Sequence, residues 1–175
     1  MAVESGSIRE RQAPLKERYR QQPGAAKIRL EVRSDPALTA EPMLARVGNE
    51  LFSAESAAHA GVGGPGTLAC SGDVLLAALA ACQEITLKLV ATAMGIELDS
   101  VQVTARGDLD LRGTLGMERG VPVGFESIEC ETKVKLAPGQ NEERAQRFFE
   151  KAEQYCVVLS TLRQANDVRS RFTPE

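Results

Sequence analysis

Apolar and charged residues alternate from Lys27 to Arg33, which predicts a half-buried strand that Ser34, Asp35 and Pro36 interrupt. Residues 43–47 and 50–54 flank Gly48 and Asn49, a turn pair that predicts two paired strands. A longer alternation runs from Ser100 to Leu111. It points Val101, Val103, Ala105, Leu109 and Leu111 one way and Asp108 and Asp110 the other. After a glycine-punctuated excursion over residues 112–124, the chain returns as a strand from Phe125 to Leu136, with Ile128, Cys130, Thr132, Val134 and Leu136 on one face. A last strand is expected from about Asp167 to Phe172.

The period changes between these strands. Leu75, Leu79, Cys82, Thr86, Leu89 and Ala93 recur at spacings of three and four, and Leu76, Ala80 and Ala91 widen the apolar surface. Ser71 is the expected N-cap, Asp73 sets a negative charge in the first turn, and Gly95 ends the helix. Such a helix is buried on most sides, at the centre of a domain or against a second subunit. A second helix is expected from Asn141, with Ala145, Phe148, Phe149, Ala152 and Tyr155 or Cys156 on its apolar face. From Val157 the chain either continues that helix or starts a new one. In the second case Cys156 lies near a helix N-terminus, which favours a thiolate. Residues 1–25 are polar and charge-rich. A short helix from Arg9 to Gln22, broken by Pro14, is expected there, within an arm that is partly disordered or wraps a partner subunit. Residues 26–175 form one domain.

Composition narrows the function. The 175 residues are 43% hydrophobic and 26% charged, with only 4% aromatic, so the core is built from Leu, Val, Ile and Ala. A net charge of -3 does not favour nucleic acid, which needs a basic face. The N-terminus lacks the apolar stretch of a signal peptide, and the longest apolar run, Val74 to Cys82, is nine residues, short of a membrane span. A cytoplasmic protein with free thiols is expected, with no metal, cofactor, nucleic-acid or membrane partner.

Four cysteines carry the candidate chemistry: Cys70, Cys82, Cys130 and Cys156. They contain no Cys-x-x-Cys, and the lone His59 has no neighbouring Cys or His, so no zinc site is expected. His59 reads as a polar surface or interface residue, and Cys130, alternating with core positions, as a small buried hydrophobe. Cys70, just before the helix cap, is either a third redox thiol or a filler beside the glycine-rich loop of residues 61–66. Asp108 and Asp110 read as a solvated strand face. Cys82 and Cys156 lie 74 residues apart, so only the fold can make them a pair.

The helix Leu75 to Cys82, ending Ala-Ala-Cys, and the segment Tyr155-Cys156-Val-Val-Leu, with the strands between them, resemble the OsmC/Ohr family over about residues 27–172. The resemblance implies an α+β fold with long central helices wrapped by antiparallel sheets in an intertwined homodimer. It implies reduction of organic or inorganic hydroperoxides by a cysteine pair, Cys82 attacking and Cys156 resolving, with an external dithiol as reductant. The sequence resembles the broader OsmC-like branch more than the organic-hydroperoxide branch. Members usually carry a glutamate in the first turn of the cysteine helix and an arginine from a strand loop. Here the nearest acid is Asp73, and Arg33, ahead of Arg46, is the candidate cation. Two readings compete with the peroxidase: a non-catalytic dimer that binds a small apolar ligand at the interface, and a structural, stress-associated protein.

Overall fold

The computed structural model describes residues 7–139, 142–164 and 167–172. The chain divides into two compact units. One comprises Met1–Ala77 with Thr104–Glu131, and the other Ala78–Val103 with Thr132–Glu175.

In the first unit, helix α1 (Ile8–Gln21) is closed at its start by a reciprocal cap. Ser7 Oγ accepts from the Glu10 N–H at 3.2 Å and Glu10 Oε2 from the Ser7 N–H at 2.7 Å. The helix runs through Pro14 rather than breaking there. No residue of α1 is buried, so the carbonyl that Pro14 leaves without its helical donor can turn to solvent. The expected strand Lys27–Arg33 pairs only at its end, as β1 (Arg33–Ser34), because among the described residues no strand lies beside the rest. Ile28, Leu30 and Val32 stand 78%, 85% and 54% exposed.

Strand β1 pairs antiparallel with β2 (Leu44–Gly48), and β2 with β3 (Ser53–Ala57), Arg46 facing Glu55. The turn is longer than a two-residue hairpin. Asn49 Oδ1 takes the Leu51 and Phe52 N–H groups at 2.9 and 3.0 Å, so the second strand starts later than the hydrophobic pattern suggests. The glycine-rich loop is closely packed: a Cβ at Gly64 would stand 1.7 Å from the Ala58 carbonyl oxygen.

Helix α2 (Ser71–Met94) begins one residue earlier than an N-cap at Ser71 requires. Ser71 is helical. Cys70 precedes the first turn, its carbonyl accepts from Val74 N–H at 3.1 Å, and Asp73 Oδ2 takes the Cys70 N–H at 2.8 Å. At the far end Gly95 has φ 63°. Ile96 N–H reaches the Ala91 carbonyl at 2.9 Å and Gly95 N–H the Thr92 carbonyl at 3.2 Å, the paired bonds of a Schellman end. An 18-residue window of α2 has a mean hydropathy of 1.8, so the helix is long and apolar enough to cross a membrane by length and composition. The count of uninterrupted apolar residues missed this because single polar residues punctuate an Ala- and Leu-rich stretch.

Strand β4 (Leu98–Asp108) pairs with β5 (Ser127–Leu136). Leu109 and Asp110 fall outside β4, against expectation. Asp110 instead caps the single-turn helix α3 (Leu111–Thr114), accepting from Arg112 N–H at 2.9 Å. Asp108 accepts from Ser127 Oγ at 2.6 Å, and Asp110 binds the Arg112 guanidinium, so the two carboxylates have separate structural partners. In the first unit the Phe125 ring lies over Gly107, where a Cβ would come within 2.5 Å of it.

The second unit holds the main core. Leu87, Val90, Ala91 and Ile96 pack with Phe148 and Ala152 of α4 (Glu142–Tyr155), ringed by Met94, Leu98, Val101, Val103, Val134 and Leu136. Arg144 of α4 donates to the Met94 and Gly95 carbonyls, where the negative end of the α2 dipole favours a cation. The expected start of this helix at Asn141 lies outside the described residues. After Cys156 a new helix, α5 (Val157–Arg163), begins. Residues 167–172 form no strand, and Val168 and Phe172 are exposed, with no strand among the described residues paired to them.

Candidate functional site

Cys82 and Cys156 belong to the same unit, and their thiols meet there. Cys82 is half-buried in the middle of α2, and Cys156 is fully buried at the start of α5. Cys156 ends one helix and caps the next: its φ and ψ are -71° and 108°, and its carbonyl accepts from Ser160 N–H at 2.9 Å. Its side chain makes no cap bond, so the first amides of α5 need another acceptor. The Cys82 sulfur fills that place. It accepts from the backbone N–H groups of Val158 and Val157, from the Cys156 thiol, and from the Thr86 hydroxyl one turn along α2.

The electrostatics follow from these contacts. Burial pushes the Cys82 thiol up, as the largest single influence. The hydrogen bonds from Val158, Cys156, Val157 and Thr86 together outweigh it, and the thiol sits below its ordinary value of 9.0. Neither Arg33 nor Arg46, the expected cations, is among these groups, which belong to α2, to α5 and to its cap residue Cys156. Arg33 is exposed and bound to Glu31 at 2.5 Å. Arg46 is held between Glu55 at 2.6 Å and Asp35 at 2.9 Å. Asp73 is engaged in the cap of α2, where the Cys70 hydrogen bonds hold its carboxyl below the usual range.

Two features escaped the hydropathy pattern. The buried stripe of α2 is Leu79, Gln83, Thr86, Leu87, Val90 and Ala91, displaced by about one residue from the expected face, with Leu75 and Ala93 exposed. Gln83 therefore lies inside, 7% exposed, and its Oε1 has no hydrogen-bond partner among the described residues. An orphaned buried carbonyl costs about 1–3 kcal/mol. The second feature is main chain: the Val157 and Val158 amides leave no mark in a sequence. Cys130 is half-buried rather than buried, because β5 belongs to a two-stranded sheet that covers it incompletely. Cys70 is half-buried in the other unit, beside Gly72 and Phe125.

The sequence profile of the OsmC-like protein family matches residues 64–171. Among solved structures, an OsmC-like protein from Mycoplasma pneumoniae superposes with a TM-score of 0.61 at 17% identity, covering 78% of this chain and 88% of that one. An organic hydroperoxide resistance protein OsmC from Legionella pneumophila gives 0.58 at 20% identity, covering 79% and 91%. One from Elizabethkingia anophelis, with thiocyanate bound, gives 0.57 at 23% identity, covering 79% and 90%. At these identities the likeness is one of fold. No curated protein matches the sequence.

Proposed function

The chain belongs to the OsmC-like family, and on that premise we propose that it is a thiol-dependent hydroperoxide reductase of the cytoplasm, working as a homodimer. The observation that carries the reading is the hydrogen-bonded Cys82 sulfur, facing the thiol of Cys156 and the two Val amides. A cysteine reacts as its thiolate, and donors that lower its pKa raise the reactive fraction at neutral pH. The relatives named for hydroperoxide resistance point to the same substrate class.

The steps balance as follows. The Cys82 thiolate attacks the terminal oxygen of a hydroperoxide ROOH, an S–O bond forms, and the O–O bond breaks. The leaving alkoxide takes a proton and departs as ROH, and Cys82 becomes a sulfenic acid. The Cys156 thiol then attacks the Cys82 sulfur, releasing water and closing a disulfide. An external dithiol reopens it by two exchange steps and leaves as its own disulfide. Asp73 and Arg33 have a supporting part in this reading: the arginine would steady the thiolate and the carboxylate would orient the arginine.

Hydroperoxide consumption in the presence of dithiothreitol tests the proposal. Wild-type protein should turn over, and Cys82→Ser should fall to the rate of dithiothreitol alone. Equal consumption by both proteins would refute it and leave the apolar-ligand dimer as the reading.

A further inference from the structure

Helix α1 takes no part in the thiol chemistry, and its residues sort by angle. At about 100° per residue, Ile8, Leu15 and Tyr19 lie within about 20° of one line along the helix. Arg9, Lys16 and Arg20 flank that line on one side, and Arg11 and Arg18 flank it on the other. Glu10 and Glu17, the only acids of the helix, lie at the back. Five cations against two acids give the helix a charge of +3, which the whole-chain value of -3 conceals. Arg20 pairs with Glu17 at 2.6 Å, while Arg11, Lys16 and Arg18 form no ion pair among the described residues. No residue of α1 is buried: Leu15 and Tyr19 are 44% and 37% exposed, and Ile8 is half-buried. Among the described residues, the element in close contact with it is the 3-10 turn Pro23–Ala26 that follows it.

We infer that α1 docks on the surface of an anionic lipid bilayer, with Ile8, Leu15 and Tyr19 entering the headgroup boundary and the cations of both flanks meeting the headgroup anions. A helix lying at that boundary needs this order of side chains. The centre of its face is apolar, the long stems of the flanking cations reach sideways to the headgroups, and the acids point away. Tyrosine suits the boundary, because its ring is apolar and its hydroxyl polar. Nucleic acid fits less well: its phosphates would meet the middle of the face, and the middle is apolar. A second copy of the chain also fits less well, because acids on its sheets are held by its own cations. Arg46 binds Asp35 and Glu55, and Arg106 binds Glu129 and Glu131. The inference is independent of the peroxide chemistry. For the proposed cytoplasmic protein, the surface is the leaflet that carries anionic lipid.

Vesicle binding by the full-length protein tests this. The chain has no tryptophan, so Leu15→Trp supplies a single reporter on the apolar line. With vesicles of phosphatidylcholine and phosphatidylserine in equal parts, its fluorescence should shift to the blue and be quenched by brominated lipid. Phosphatidylcholine alone should leave it unchanged. In co-sedimentation without the reporter, Lys16→Gln with Arg18→Gln removes one cation from each flank and should weaken binding about tenfold. Leu15→Ser with Tyr19→Ser should weaken it about as much, whereas Glu17→Gln at the back should bind no worse than wild type. Absence of wild-type binding would overturn the inference. So would binding that is lost with the two cations but kept without the two apolar side chains, the pattern of a polyanion site that nucleic acid would occupy. Blue-shifted emission that is present without vesicles and grows with protein concentration would overturn it as well, since a second copy would then cover the line.

Discussion

A sulfur anion away from water needs donors, and Cys82 has four of them on two helices. Thr86 is the one that a mutation removes cleanly. Thr86→Val keeps the shape and deletes the hydroxyl, so the Cys82 thiol should titrate at higher pH than in wild type, measured as the pH dependence of its alkylation rate. An unchanged profile would mean that the amides of α5 hold the thiolate unaided. Stability should carry the same signature. Because the native pKa lies below the unfolded one, the native state binds fewer protons at Cys82 between the two values. Its contribution is full above about 9.0 and is lost as pH falls through the native pKa. Urea unfolding from neutral to alkaline pH should therefore show a rising component that Cys82→Ser abolishes. In the sequence Cys82 and Cys156 stand out as a candidate thiol pair, and Thr86 only as a position on the helix face. Gln83 does not stand out, because a polar residue is read as facing water, and buried placement here overrides that rule.

At the scale of elements, each unit has one close approach that a substitution can test. Phe148 of α4 is fully buried against the inner face of α2. Phe148→Ala should cost about 3–5 kcal/mol in urea unfolding, the range for an aromatic removed from a packed core. A loss under about 1 kcal/mol would mean that the α2–α4 contact is loose. In the other unit, Gly64→Ala drives a Cβ into the Ala58 carbonyl and should cost about 1–3 kcal/mol. The helices were legible because caps and a 3.6-residue period are local signals, and the end of α2 at Gly95 is one of them. The strands were less so. Lys27–Arg33 has the alternation of a strand, but a strand also requires an edge to pair with, and β1 finds one for two residues. At the C-terminus, Asp167 to Phe172 likewise finds none. The start of α5 after Cys156 depends on a backbone break that hydropathy does not encode.

For the whole molecule, the exposed apolar surface is the fact that bears on assembly. Only 33% of the apolar window of α2 is buried, Ile85 on that helix is exposed, and Ile28, Leu30 and Val32 form an uncovered row. Patches of this kind mark interaction sites, and a symmetric pair of chains is the commonest way to cover them. Sedimentation at micromolar concentration should give a species of twice 18.8 kDa; a stable 18.8 kDa particle would contradict the proposed homodimer. The central claim is the redox pairing of two thiols, and one experiment addresses it most directly. Reduced protein is treated with one equivalent of hydroperoxide, the remaining thiols are blocked, and the peptides are mapped without reduction. The account predicts a Cys82–Cys156 disulfide in wild type, and in Cys156→Ser a sulfenic acid trapped at Cys82. A dominant Cys70–Cys82 link, or a Cys82 that remains a free thiol, would contradict it.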